Sequence, residues 1–334
     1  MIFHPAIIGL FLSSILIGFM VLYCAFYGIR IIRRWDILSG SELQLSLERR
    51  TYLISTFLSY IFGFQLLSLF LFIFTADQLH PFFVGAMCAA GSLYANSYGY
   101  PVLLLKILNF FMAGLWLILN HADNQASDYP LIRKKYIFLL VLAPFILAEA
   151  VLQAGYFIQL NPSIITSCCG TLFSAEGAGI SSDIGALPGP VMKTIFFGSM
   201  TTTLATGVYY YLRGKGAWFF AGLSALNCIV CLFSILSFIS LYIYELPTHH
   251  CPFCILQKEY GYIGYPLYLA LFAGSILGVG VGALMPFRNI RSLSETIPAT
   301  QKRMAQAAVV LLIVFAMIVA WKLIATDFIL DVGH

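Results

Sequence analysis

The residues with the most chemical potential stand together between Tyr244 and Lys258, in the run Tyr-Glu-Leu-Pro-Thr-His-His-Cys-Pro-Phe-Cys-Ile-Leu-Gln-Lys. Cys251 and Cys254 form a C-x-x-C with His249 and His250 directly ahead of it. Two thiols at this spacing can close a disulfide, and a thiolate attacks a partner disulfide through a mixed-disulfide intermediate. A helix that starts at the motif, and a cationic imidazole beside it, would both favour the thiolate of the first cysteine. The same donors suit a soft metal ion. In an oxidising compartment they also suit a structural bridge. Redox exchange, metal binding and a structural staple are therefore all open at this motif, with exchange the leading expectation.

Three further cysteines widen the choice. Cys168 and Cys169 are adjacent, and adjacent cysteines bridge one another only by straining the peptide between them. Each is expected to pair elsewhere, for instance with Cys251 or Cys88. These five cysteines are an odd number, which leaves one thiol over or shared in exchange. A soft-metal site would draw on Cys88, Cys168, Cys169, His250, Cys251 and Cys254. Cys24 stands alone in an apolar run and reads as a small hydrophobe. Cys228 and Cys231 share a helix face inside another apolar run, with no histidine near them in sequence, and read as packing.

The elements that must position these residues are membrane spans. Of the 334 residues, 60% are hydrophobic and 10% charged, against about 25% charged in a soluble domain. Apolar runs near the length needed to cross hydrocarbon fall at 6–29, 52–76, 101–121, 136–158, 193–212, 217–245, 265–287 and 305–325. Alternate loops between them carry fourteen of the eighteen Lys and Arg, whereas the opposite side holds only Lys193 and Lys258. The positive-inside rule then puts both termini, and the cysteine loops, on the non-cytoplasmic side. This distribution also accounts for the net charge of +4 without a nucleic-acid partner. No Walker motif is present, and no histidine lies deep in a span to hold a buried haem.

The stretch from Tyr242 to Phe272 resembles the membrane thiol oxidoreductases of the vitamin K epoxide reductase and disulfide-bond-protein-B type. The motifs that carry the likeness are Cys251-Pro-Phe-Cys254, Gln257-Lys258 after it, and Tyr265-Pro-Leu267, together with the order of a cysteine loop (Cys168, Cys169) ahead of the C-x-x-C. Lys258 stands where the bacterial group has Arg, and the loop cysteines are adjacent where the family separates them. The resemblance implies a four-helix redox bundle in spans four to seven, a quinone acceptor beside the C-x-x-C, and a thioredoxin-like exported protein as partner. Cys251, Cys254, Cys168 and Cys169 would then carry electrons, with His249 and His250 tuning the thiolate.

Glu149, with Gln153 one turn on, is a carboxylate inside an apolar span, which marks a pair or a functional site. Lys106 is the candidate partner. Glu149, Gln257 and Lys258 are the residues expected to face a bound quinone. The sequence thus describes an all-α polytopic membrane protein of about eight spans. Its expected regions are 1–135 (three helices), 136–290 (the cysteine-bearing bundle) and 291–334 (a last helix). The expected setting is a bacterial inner membrane, with the lipid bilayer as solvent and the cysteine loops periplasmic or extracellular.

Overall fold

The computed structural model describes residues 4–36, 39, 41–166 and 189–326. Among these the chain is all-α: α1 (Pro5–Arg34), α2 (Glu42–Leu79), the short α3 (Ala89–Tyr94), α4 (Gly99–Asp123) and α5 (Ile132–Ile158), then α6 (Gly189–Arg213), α7 (Ala217–Tyr244), α8 (Gly264–Ala283) and α9 (Thr296–Ala325). The only extended pairing among the described residues is a single bridge between Val84 and Ile165.

All the long helices except α6 are long and apolar enough to cross a membrane, seven in total among the described residues. Large apolar side chains stand outward on them, including Phe19, Tyr60, Val151 and Phe219, each at least 70% exposed. Water would penalise such a surface at about 25 cal/mol per Å², whereas lipid does not. The architecture is that of a polytopic membrane protein. The run 193–212 lies within α6, whose threonines do not break the helix. The hydroxyls of Thr201, Thr202, Thr203 and Thr206 each donate to a backbone carbonyl three or four residues earlier, and that of Thr203 also lies 3.4 Å from the Leu223 carbonyl in α7.

Packing divides the chain into two compact units. The first comprises α1, α2 as far as Thr75, α4, α5 and the segment Pro286–Ile297. Its core includes Val21, Leu58, Phe62, Trp116, Tyr136 and Leu139, with the Phe62 and Trp116 rings edge-on at 4.8 Å. The fourth sequence span, α5, thus packs with α1 and α4.

The second unit comprises Ala76–Ala95, α6, α7, α8 and α9 from Pro298 onward. Helices α7 and α8 approach closely, because a β-carbon at Gly278 would strike the Ser224 side chain and one at Gly282 would strike Ala221. Small residues at such a crossing bring backbones together where lipid supplies no hydrophobic drive. Gln301 links three helices: it accepts from the Tyr210 hydroxyl at 3.0 Å and donates to the Val281 carbonyl at 2.7 Å. A π turn at Ile235–Ile239 interrupts α7 just before the cysteine loop.

Candidate functional site: a buried cluster of three thiols

The second unit brings together Cys88, Cys251 and Cys254. Their Sγ atoms all lie within 4.8 Å of one another, with Cys88 and Cys251 at 3.5 Å. All three are buried, at 0%, 0% and 4% exposure. Among the described residues no disulfide joins two cysteines. His249 borders the group at Cys254, its Nε2 3.3 Å from that Sγ and its ring edge-on to Tyr244 at 4.7 Å. The spacing of the C-x-x-C was legible in the sequence, but the third member, 163 residues away from Cys251, is set by tertiary packing.

Two loops hold the cluster. The first follows α2 and carries Cys88 at the residue before α3. The second runs from Glu245 to Ile263 between α7 and α8. Here the sequence expectation needs correcting: no long helix opens at Cys251. Cys254–Leu256 is a single 3-10 turn, and α8 starts only at Gly264. The helix-dipole argument for a thiolate therefore does not apply, because three residues aligned in one turn make no appreciable dipole. The loop is instead folded back and pinned. The Tyr244 hydroxyl donates to the Cys251 carbonyl at 2.5 Å, and the Tyr268 hydroxyl donates to the Pro252 carbonyl at 2.9 Å. A β-carbon on Gly264 would sit 2.9 Å from Ile255 and Leu256, so only glycine admits this return.

Asp77 and Gln257 tie the two loops to each other. Asp77 Oδ1 accepts from the Ala89 N–H at 3.2 Å and from Gln257 Nε2 at 3.0 Å. Gln257 Nε2 also donates to the Met87 carbonyl at 2.9 Å. Residues on both sides of Cys88 are thereby fixed to a residue three positions after Cys254. Gln257, expected beside a quinone, bridges the two loops that carry the thiols. Asp77 carried no sequence signal beyond being an acid near the end of an apolar run.

The remaining expected residues fall as follows. His250 is turned away from the sulfurs, its Nδ1–H donating at 2.8 Å to the carbonyl of Leu236 within the π turn. His249, not His250, is therefore the imidazole of the cluster. Lys258 is exposed in the next turn. Burial, with Cys254 nearby, raises the pKa of the Tyr260 phenol. Cys168 and Cys169 lie outside the described residues. Cys228 and Cys231 are buried in α7 and belong to no cluster of metal-type donors among the described residues.

Glu149 lies in the first unit. Its Oε1 is 2.7 Å from Lys106 Nζ, and Oε2 accepts from Gln65 at 2.5 Å and Asn109 at 2.6 Å. Ser68 takes a further bond from Lys106 at 2.7 Å. A second buried pair, Lys135–Asp123 at 2.7 Å, has both side chains at 0% exposure. Its lysine reads in sequence as one of three loop charges after Ile132, but in the structure it points inward to Asp123 and Asn120.

Three thiols and an imidazole fit a soft metal chemically. A tetrahedral site with metal–sulfur bonds of about 2.3 Å places its sulfurs about 3.8 Å apart, and here Cys88 and Cys251 are at 3.5 Å with all three sulfurs within 4.8 Å. Compared with models of known protein families, with curated proteins and with solved structures, the chain matches none.

Proposed function

We propose that this chain is a membrane protein that holds a soft metal ion, Cu(I) or Zn(II), through Cys88, Cys251 and Cys254, with His249 as the fourth donor. The carrying observation is the convergence of three buried Sγ atoms within 4.8 Å. Thiolate and imidazole donors select such ions over hard cations. Burial argues in the same direction, since a thiol that exchanges directly with a protein disulfide needs access for an attacking sulfur. A bound ion would supply charge that neutralises the thiolates, while the chain's own contribution is to fix donor positions through Asp77, Gln257, Tyr244 and Tyr268. In this reading α6 crosses as an eighth span, the arginine-rich loops face the cytoplasm as the positive-inside rule expects, and the cluster and both termini lie on the opposite side of a bacterial inner membrane.

A second reading is favoured by one distance. Cys88 Sγ is 3.5 Å from Cys251 Sγ, near enough to bond after a small shift. In this reading the pair is oxidised to a disulfide, giving up two electrons and two protons to a membrane quinone that leaves as quinol. A thioredoxin-like exported protein would be the thiol partner. One experiment separates the two. Metal content of the purified full chain is measured beside alkylation mapping of each cysteine, with and without added quinone. About one Cu or Zn per chain, lost in Cys88→Ser and in Cys254→Ser, supports the metal site. Metal-free protein whose Cys88 or Cys254 bridges to Cys251 in response to quinone would replace it with the oxidoreductase.

A further inference from the structure

The first unit contains a cleft of about 580 Å³ between the end of α1 and the start of α2. Arg30, Arg33, Arg34 and Arg50 line it, beside Phe26 and Tyr27. No acidic side chain lines the cleft, and none of the four arginines makes a salt bridge among the described residues. Four guanidinium groups around one cavity repel one another, so the arrangement invites an anion. Two of them are held in place in advance. Arg50 Nη1 donates to the Tyr27 hydroxyl at 2.7 Å and lies 5.3 Å from that ring's centre. Arg30 lies over the Phe26 ring at 4.6 Å. Such stacking fixes the planar fork, which matches phosphate oxygens two at a time.

Position narrows the anion. Arg33 and Arg34 occupy the last turn of an apolar helix long enough to span a bilayer, the depth at which lipid headgroups lie. Ile29 and Leu43, also lining the cleft, are 39% and 44% exposed, and Phe26 is 53% exposed. The cleft lining thus combines guanidinium groups with exposed apolar side chains. We propose that it binds the phosphodiester headgroup of an anionic glycerophospholipid, with the acyl chains lying along the exposed apolar residues of α1 and α2. Basic pockets between spanning helices recognise such headgroups by charge. This site is independent of the thiol cluster and of what that cluster binds.

The test uses the full chain, purified in a neutral detergent and examined by native mass spectrometry. The probes are phosphatidylglycerol, cardiolipin, phosphatidylcholine and inorganic phosphate. The expected result is retention of phosphatidylglycerol or cardiolipin over phosphatidylcholine, weakened roughly thirtyfold in Arg33→Gln/Arg50→Gln. Arg213→Gln/Lys215→Gln, in a different basic loop, should bind as the wild type does. Arg33→Lys/Arg50→Lys keeps the charge, loses the planar fork and should fall between them, which guards against a glutamine variant that fails to fold. Equal retention of phosphatidylglycerol and phosphatidylcholine, or unchanged binding in the glutamine variant, would overturn the proposal. Binding of inorganic phosphate at this cleft without lipid selectivity would also overturn it and assign the arginines to a free anion.

Discussion

Replacing Asp77 with Ala should loosen the thiol cluster without touching a sulfur. The carboxylate accepts two hydrogen bonds, from the Ala89 N–H at 3.2 Å and from Gln257 at 3.0 Å. Hydrogen bonds to a charged acceptor contribute about 1.5–3 kcal/mol each. The lower end applies here, because Gln257 keeps its bond to the Met87 carbonyl. Two bonds at about 1.5 kcal/mol come to about 3 kcal/mol, which is roughly a hundredfold in affinity. This agrees with the 10–100-fold typically lost when a partner supporting a metal ligand is removed. Asp77→Asn keeps an acceptor oxygen but loses the charge, and about tenfold is expected. The assay is competition for Zn(II) or Cu(I) against a chromophoric chelator, with purified protein in detergent. A readout that needs no metal runs beside it: the rate at which mild oxidant cross-links Cys88 to Cys251, which should fall in Asp77→Ala. If Asp77→Ala bound metal within about threefold of wild type and cross-linked at the same rate, while Cys88→Ser abolished both, the positioning argument would be wrong.

Two further predictions concern stability. Lys106→Met leaves the Glu149 carboxylate buried without its counter-ion, and breaking such a pair costs about 3–5 kcal/mol. Lys106→Met/Glu149→Leu should recover most of that loss in a denaturation cycle, whereas strictly additive losses would deny the coupling. Gly264→Ala forces a β-carbon within 2.9 Å of Ile255 and Leu256. It should therefore weaken metal retention and destabilise the chain by about 1–3 kcal/mol, and a variant with unchanged melting temperature and metal content would show that the loop yields freely.

Much of the fold was legible because its causes are local. A helix in lipid needs a long apolar run and no outside partner, so α1, α2, α4, α5, α7, α8 and α9 follow from composition along the chain. The pairing of Glu149 with Lys106 was legible for a related reason: a carboxylate in hydrocarbon demands a cation, and few cations lie at that depth. Lys135 shows where such reasoning fails. Three consecutive cations after Ile132 look alike in sequence, and only the helix rotation against α4 turns one of them onto Asp123.

The thiol site divides in the same way. Cys251, Cys254 and a neighbouring histidine are chemically conspicuous wherever they occur, and their spacing alone put them on the short list. Which histidine serves could not be read from adjacent letters, because successive residues in a non-helical loop point in different directions. His250 is drawn to the Leu236 carbonyl in the π turn, and His249 is left beside Cys254. The entry of Cys88 depends on Asp77 and Gln257 closing one loop onto another across 180 positions of chain. No periodic pattern records a contact of that kind. By itself the sequence determined the solvent, the spans and the reactive residue types, because those are properties of short segments. The tertiary structure alone decided which of those residues meet, because that depends on how distant segments pack.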